Sequence, residues 1–358
     1  AAAIVLMREG FSKEVPHAYI LGCASDVDGS SACIKSLEAS GVESNEIEVI
    51  DCVSSISSIS RAASVEQELI GLTEVYGQGS KRLDCALGSV NTLVGQCGHV
   101  AGLASLIKSS LGLFHRYIPT VPDWNAPSQP QVWENSPFYV ATESTPWFEN
   151  KTYGIRKAAI NLVSKNATTH IVLSENKAAV ERQSEYFSRV SWCFYPLLGN
   201  NVKELAAALQ TLKLQIAGEP GLKALAQDYF QNFQLQKSNA EYTLVILGES
   251  VEVLDKEVEL MLAGLQASFD AGTERKTPKG SFFTPTPVGA EAEVAFVYPG
   301  IGAPYVDFGR DLFHLFPGAY SSLDQMSRDA GQSVKQELLY PRSRYRLDAK
   351  EKKEVEKE

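Results

Sequence analysis

The sequence predicts an α/β fold spread over more than one domain, and three observations carry that expectation. Short apolar runs alternate with helix-period patterns from Ala1 to Glu175, as in folds whose strands are buried on both faces. From Asn176 to Ala290 the pattern shifts to amphipathic helices around a single strand, and beyond 290 a strand, a glycine turn and a helix follow. A chain of 358 residues, 44% hydrophobic and 21% charged, is long enough to bury more than one core.

In order, the apolar runs Ala2 to Met7, Ala18 to Gly22, Ile47 to Val53, Cys85 to Ser89 and Thr169 to Leu173 read as strands. The periodic segments Ser31 to Ser40, Ser64 to Tyr76 and Gly98 to Leu113 read as helices. Between Tyr117 and Trp147 the chain is proline-rich and holds three of the four tryptophans. Proline withholds backbone donors, so this stretch is expected to be an extended surface strap pinned by its aromatics. Farther on, helices are expected at Val202 to Ile216 and Ser250 to Ala271, a strand at Tyr242 to Leu247, and a helix from near Tyr305. The mixed-charge end, DAKEKKEVEKE, reads as a solvated helix or a frayed tail.

Charge and cysteine usage exclude several classes of function. With 33 Lys plus Arg against 43 Asp plus Glu the formal net charge is −10, which repels nucleic acid and anionic membrane surfaces. Six cysteines lack any metal-ligand spacing and fit reduced thiols in a cytoplasm. No secretory or membrane-spanning run stands out, and the sequons at Asn150 and Asn166 have no secretory signal beside them. The opening AAAIVLM begins directly in a strand pattern and reads as a piece of a longer polypeptide. Neither YGQGS (Tyr76 to Ser80) nor YPGIG (Tyr298 to Gly302) has the Lys or acidic ribose partner of a phosphate cradle, so both read as turns.

Three blocks occur in a telling order: GVESNEIEVIDCVSSIS, GSVNTLVGQCGHVAGLASLIKSSLGLFHRYIP and NATTHIVLSE. Together they resemble the second half of a β-ketoacyl synthase of the thiolase fold, whose corresponding runs read V-E-A-H-G-T-G-T, G-S-V-K-T-N-I-G-H-x-E-A-A-A-G and G-T-N-A-H-V-V-L-E. Later, FVYPGIGAPYVDFGRDLFHLFP resembles the start of a malonyl/acyl transferase. This order is similar to the chain-length-factor and acyltransferase region of polyunsaturated fatty acid synthases, in the bacterial acyltransferase subunit and in the thraustochytrid-type second subunit.

The resemblance implies chemistry that the residues can be tested against. Condensation needs a cysteine nucleophile and two histidines. The family's first histidine falls on Val53, its second on Gln96, its lysine on Asn91 and its glutamate on Gly98. Valine moves no proton, and glutamine offers only a neutral hydrogen bond. His99 stands three positions late, where a packing role at the start of a helix is expected. Cys33 falls on an ordinary helix of the family and is expected to be structural, as are His170 on its strand and His314 in DLFHLFP. The glycine-phenylalanine-glycine gate is missing. On the transferase side there is no G-x-S-x-G, and Ile301 replaces the glutamine of the oxyanion region.

The fold implied is α/β: the second half of a thiolase-like (ketosynthase) fold over 1–175, a small α/β linker domain over 176–290, and an N-terminal piece of an acyltransferase α/β domain over 291–358. The function implied is a non-catalytic, chain-length-factor-like portion of a polyunsaturated fatty acid or polyketide-type synthase that shapes an acyl tunnel and presents an acyltransferase. The alternative is a fragment of an active transferase or synthase whose catalytic residues lie outside this chain. No catalytic residue, metal or cofactor is assigned. Implied partners are a ketosynthase domain or the missing thiolase half in a dimer, acyl carrier protein, and malonyl- or acyl-CoA for the parent protein. A basic patch of Lys151, Arg156, Lys157 and Lys165 is the candidate surface for the acidic carrier.

Overall fold

A computed structural model describes residues 2–8, 10–11, 15–54, 61–78, 83–150, 152–177, 190–218, 221–289, 292–293, 295, 297, 305–316, 318–319, 322 and 339–356. The chain forms two compact units, one of Ala1–Ser184 with Gly300–Glu358 and one of Glu185–Pro299.

The first unit is built on a six-stranded mixed sheet. Its elements run β1 (Ala18–Asp26), α1 (Gly29–Ser40), β2 (Val49–Ser54), α2 (Arg61–Tyr76), β3 (Cys85–Gly88), α3 (Asn91–Val94), α4 (Ala101–His115), β4 (Tyr117–Ile118), α5 (Pro130–Glu134), β5 (Phe138–Tyr139), β6 (Thr145–Pro146), β7 (Lys157–Val163) and β8 (Thr168–Glu175). The sheet order is β1-β8-β7-β2-β3-β5. β8 runs antiparallel to β1 and β7, while β7, β2, β3 and β5 are mutually parallel. Alternate residues point to opposite faces: Ile50, Ala159 and Val172 join Cys33, Leu37, Leu72 and Tyr76 in one core. Val49, Ala158 and Leu173 join Leu113, Ile118 and Trp147 in the other.

Local chemistry fixes the helix ends. Asp28 accepts from the Ser31 amide at 2.9 Å and caps α1, and Gly41 closes it in the left-handed region at φ 65°. A Cβ on Gly22 would lie 2.4 Å from the Ser36 carbonyl oxygen, so β1 and α1 approach more closely than any side chain would allow.

Two expectations are corrected here. Ala2 to Met7 is not a strand. Val5, Leu6 and Met7 are 87%, 67% and 58% exposed, and an apolar run becomes a strand only where a neighbour accepts its backbone hydrogen bonds. The helix expected from Gly98 begins at Ala101, after a single 3₁₀ turn at Gly98–Val100. The strap is not wholly irregular: Phe138–Tyr139 adds the edge strand beside β3, and Trp124 packs on Trp133 at 5.5 Å.

In the second unit, β9 (Cys193–Gly199), α6 (Val202–Ala217), α7 (Leu222–Gln236), β10 (Tyr242–Gly248), α8 (Val251–Ala271), β11 (Arg275–Lys276) and β12 (Phe282–Phe283) follow in order. The strands form an antiparallel sheet in the order β11-β12-β10-β9. Tyr195, Leu197, Leu244, Ile246 and Phe283 face α6 and α8 and meet Leu205, Leu209, Val258 and Met261 in a separate core.

The first unit is completed by α9 (Arg310–Leu315) and α10 (Ala349–Val355). Asp348 and Glu351 form a capping box at the start of α10. Arg344, buried, donates to the carbonyls of Phe138 (3.2 Å), Glu134 (3.4 Å) and Ser136 (2.7 Å), and the Trp124 indole donates to the Arg344 carbonyl at 2.9 Å. The segment around Arg344 is thereby laced to the proline-rich strap.

Candidate functional site

Of the positions singled out by sequence, Val53 lies at the C-terminal end of β2. The pleat sends Val49, Asp51 and Val53 toward α4. Asp51 is buried, held by the Lys108 ammonium at 2.6 Å and the Ser105 hydroxyl at 2.5 Å, both from α4. Lys108 and Ser105 are three positions apart and share a helix face. Gly88 leaves room for this pair, since a Cβ there would lie 3.1 Å from the Lys108 nitrogen.

One pleat farther on, Val53 is 3% exposed and packs with Val90, Ala101, Ala104 and Leu162. The cluster is wholly apolar and contains no group that could carry a proton. Asn91 opens α3 and is half-buried, whereas Gln96 is exposed between Gly95 and Gly98, both in the left-handed region at φ 76° and 55°. His99 lies in the turn Gly98–Val100; its side chain lies outside the described residues. Val53 and Gln96 therefore do not share an environment, one being sealed in the core and the other turned to solvent.

On the opposite sheet face polar groups are buried in a chain. The Cys33 thiol lies 3.8 Å from Asn161 Oδ1, and Asn161 donates to Glu68 at 2.7 Å. Burial pushes Glu68 up to about 7 against the opposing hydrogen bonds from Asn161 and Cys52. Burial also pushes the Cys33 thiol up to about 12, which removes the thiolate a nucleophile needs, and pushes the Cys52 thiol up as well. His170 is fully buried; its Nδ1 lies 2.5 Å from Ser36 Oγ and its Nε2 2.9 Å from the Tyr76 hydroxyl. Ser36 donates to the Cys33 carbonyl at 2.8 Å, so Nδ1–H donates to Ser36 and the Tyr76 hydroxyl donates to Nε2. Burial lowers His170 to about 4. The imidazole is neutral, satisfied on both nitrogens and shut away from solvent.

The basic patch is corrected. Arg156 is 1% exposed and ion-paired with Glu175 at 3.0 Å, and Lys157 is 8% exposed and ion-paired with Glu46 at 2.6 Å. Both cations are buried at the start of β7, a central strand, and among the described members of the patch Lys165 is the exposed one. Lys151 and Ile301 lie outside the described residues, as does the His314 side chain. The sequence reading missed Asp51–Lys108, Glu68 and Asn161. Helical spacing does mark Lys108 and Ser105 as one face, but their partner lies 57 and 54 positions away, respectively. Among the described residues no cluster of three or more His, Cys, Asp or Glu could hold a metal, and no helix is long and apolar enough to cross a membrane.

Residues 17–125 match the family described as Beta-ketoacyl synthase, C-terminal domain. The chain is 25% identical to a polyunsaturated fatty acid synthase polypeptide of Thraustochytrium sp., over 99% of this chain and 18% of that protein. It is 28% identical to Polyketide synthase GfsB of Streptomyces halstedii, over 64% of this chain and 4% of that one. Less than a fifth of either relative is therefore spanned. Among solved structures, a ketosynthase from module 1 of the bacillaene synthase of Bacillus amyloliquefaciens aligns over 75% of this chain and 45% of its own, with 18% identity and a TM-score of 0.40. Residues 17–125, which carry β1, β2 with Asp51 and Val53, and β3, thus form a ketosynthase-like region, similar to stretches of polyketide and polyunsaturated fatty acid synthases.

Proposed function

We propose that this chain is a non-catalytic, chain-length-factor-like portion of a polyunsaturated fatty acid or polyketide-type synthase. The carrying observation is the apolar cluster around Val53, where the resemblance calls for a histidine. Decarboxylation requires donors aimed at the developing negative charge of the malonyl thioester, and Val90, Ala101 and Leu162 supply none. Gln96, exposed and uncharged, supports the same reading.

The role left is architectural: packing against an active ketosynthase or the other thiolase half, and helping to shape the tunnel of an acyl chain handed over by acyl carrier protein. Residues 176–290 then act as a linker and 291–358 as the start of an acyltransferase that uses malonyl- or acyl-CoA in the longer protein. Six unpaired thiols support a cytoplasmic setting.

The test is decarboxylation of malonyl-acyl carrier protein by the purified chain. Release of carbon dioxide is expected to stay at the no-protein background, and His99→Ala is expected to leave it there. Turnover above background that disappears with His99→Ala would falsify the proposal.

A further inference from the structure

The four-stranded sheet of residues 185–299 has helices against one face, but its strands are apolar on both. In β9 and β10, Tyr195, Leu197, Leu244 and Ile246 fill the helix-covered core, and Phe194, Pro196, Val245 and Leu247 take the alternate positions. Continuous apolar runs of this kind belong to strands covered on both sides. Register places Leu247 opposite Phe194, Val245 opposite Pro196 and Phe282, and Phe282 opposite Lys276. Directly opposed residues share a face, so Phe194, Val245, Leu247, Phe282 and Lys276 stand on the outer one. Phe194 is 47% exposed and Phe282 36%, whereas Val245 and Leu247 are half-buried and Pro196, on the same face, is buried.

The aromatic surface continues past the sheet edge. Phe194 meets Phe230 of α7 edge-on at 5.7 Å, and Phe230 stacks on Phe233 at 6.4 Å. No residue of α7 is fully buried, so this helix is held on one side only. Two cations lie on the strip: Lys237 is 5.9 Å from the Phe233 ring, and Lys279 is 5.8 Å from the ring of Trp192, itself 42% exposed. With Lys276 they give the apolar surface positive charge in a chain whose net charge is −10.

We propose that this outer sheet face is the docking surface for an amphipathic helix of a partner protein, with an apolar ridge against Phe194, Phe282 and Phe230 and carboxylates reaching Lys237, Lys276 and Lys279. A helix laid on a sheet is the ordinary way to cover such a face, and acidic flanks complement the lysines. The net negative charge of the chain argues against a nucleic acid as occupant. The inference stands apart from the ketosynthase-like reading of residues 17–125 and does not need it.

The test uses the full chain and a fluorescein-labelled helical peptide of about 16 residues, four turns, with leucines at every third and fourth position and glutamates beside them. Anisotropy is expected to show binding that weakens from about 50 to about 500 mM NaCl. Phe194→Ala and Phe282→Ala are each expected to weaken it about five- to tenfold while leaving the chain folded at the assay temperature, as thermal melts check, since both rings are at least a third exposed. Lys276→Glu with Lys279→Glu is expected to weaken the glutamate peptide and strengthen its lysine counterpart. The proposal is overturned by absence of binding up to about millimolar peptide, by equal binding to wild type and the phenylalanine variants, by a lysine peptide or oligothymidylate binding as well, or by a dimer in sedimentation that Phe194→Ala dissociates, since a second copy then covers the face.

Discussion

Glu68 and His170 lie on the same side of the first sheet and respond to pH in opposite directions. Burial raises Glu68 from 4.5 to about 7, so its contribution to stability is complete below 4.5 and is lost as pH rises through 7. Burial lowers His170 from 6.5 to about 4. The neutral ring contributes fully above 6.5, and that contribution is lost as pH falls through 4. Glu68→Gln mimics the protonated acid at every pH. Urea melts of this variant and wild type are expected to diverge in the variant's favour between about pH 5 and about pH 8; a constant difference across that range would show that Glu68 does not titrate as its burial requires.

At the scale of single elements, close backbone approach sets the spacing of β1 and α1. Gly22→Ala would drive a methyl group to 2.4 Å from the Ser36 carbonyl and 2.9 Å from Ser40 Cβ, at a cost of about 1–3 kcal/mol. Chemical denaturation measures it, and a loss within about 0.5 kcal/mol would mean the two elements part freely. The same elements show what was legible in the sequence. Periodicity identified α1, α2, α4, α6, α8 and most of the long strands, because each buries one stripe or a continuous run. It passed over β7, where Lys157 and Asn161 interrupt KAAINLV with polar groups whose partners Glu46 and Glu68 are remote in sequence. It also passed over α7, which buries no residue completely and so carries a weak stripe. At the site, Val53 and Gln96 stand in the aligned blocks where the resemblance expects histidine. The sealing of Val53 by Ala101 and Leu162 was not, because their strand and helix come together only in the folded sheet.

For the molecule as a whole, two units with separate cores divide the chain, and Gly300–Glu358 returns to the first. Arg344 is the anchor of that return, with three backbone carbonyls around one buried guanidinium. Arg344→Ala leaves those carbonyls without their donors, a loss of about 1–3 kcal/mol. Hydrogen exchange is expected to accelerate at the amides of Val140 and Arg346, which bond to Ser343 and Asn125, while amides in 193–283 keep their protection. Uniform acceleration across both units would contradict a local anchor.

The apolar seal around Val53 makes proton chemistry hard to install there. Val53→His would place a ring N–H among Val90, Ala101 and Leu162, at a cost of about 1–3 kcal/mol for the unpaired donor. Thermal melts are expected to place it below Val53→Ala, and equal melts would mean that the cluster has room for a solvated ring. Gln96 meanwhile stays in solvent on its glycine turn, so a histidine placed there would still have to be drawn inward. A histidine at either position alone therefore falls short of a working pair, since one is sealed without a partner and the other stands in water, and the fold resists that chemistry one residue at a time.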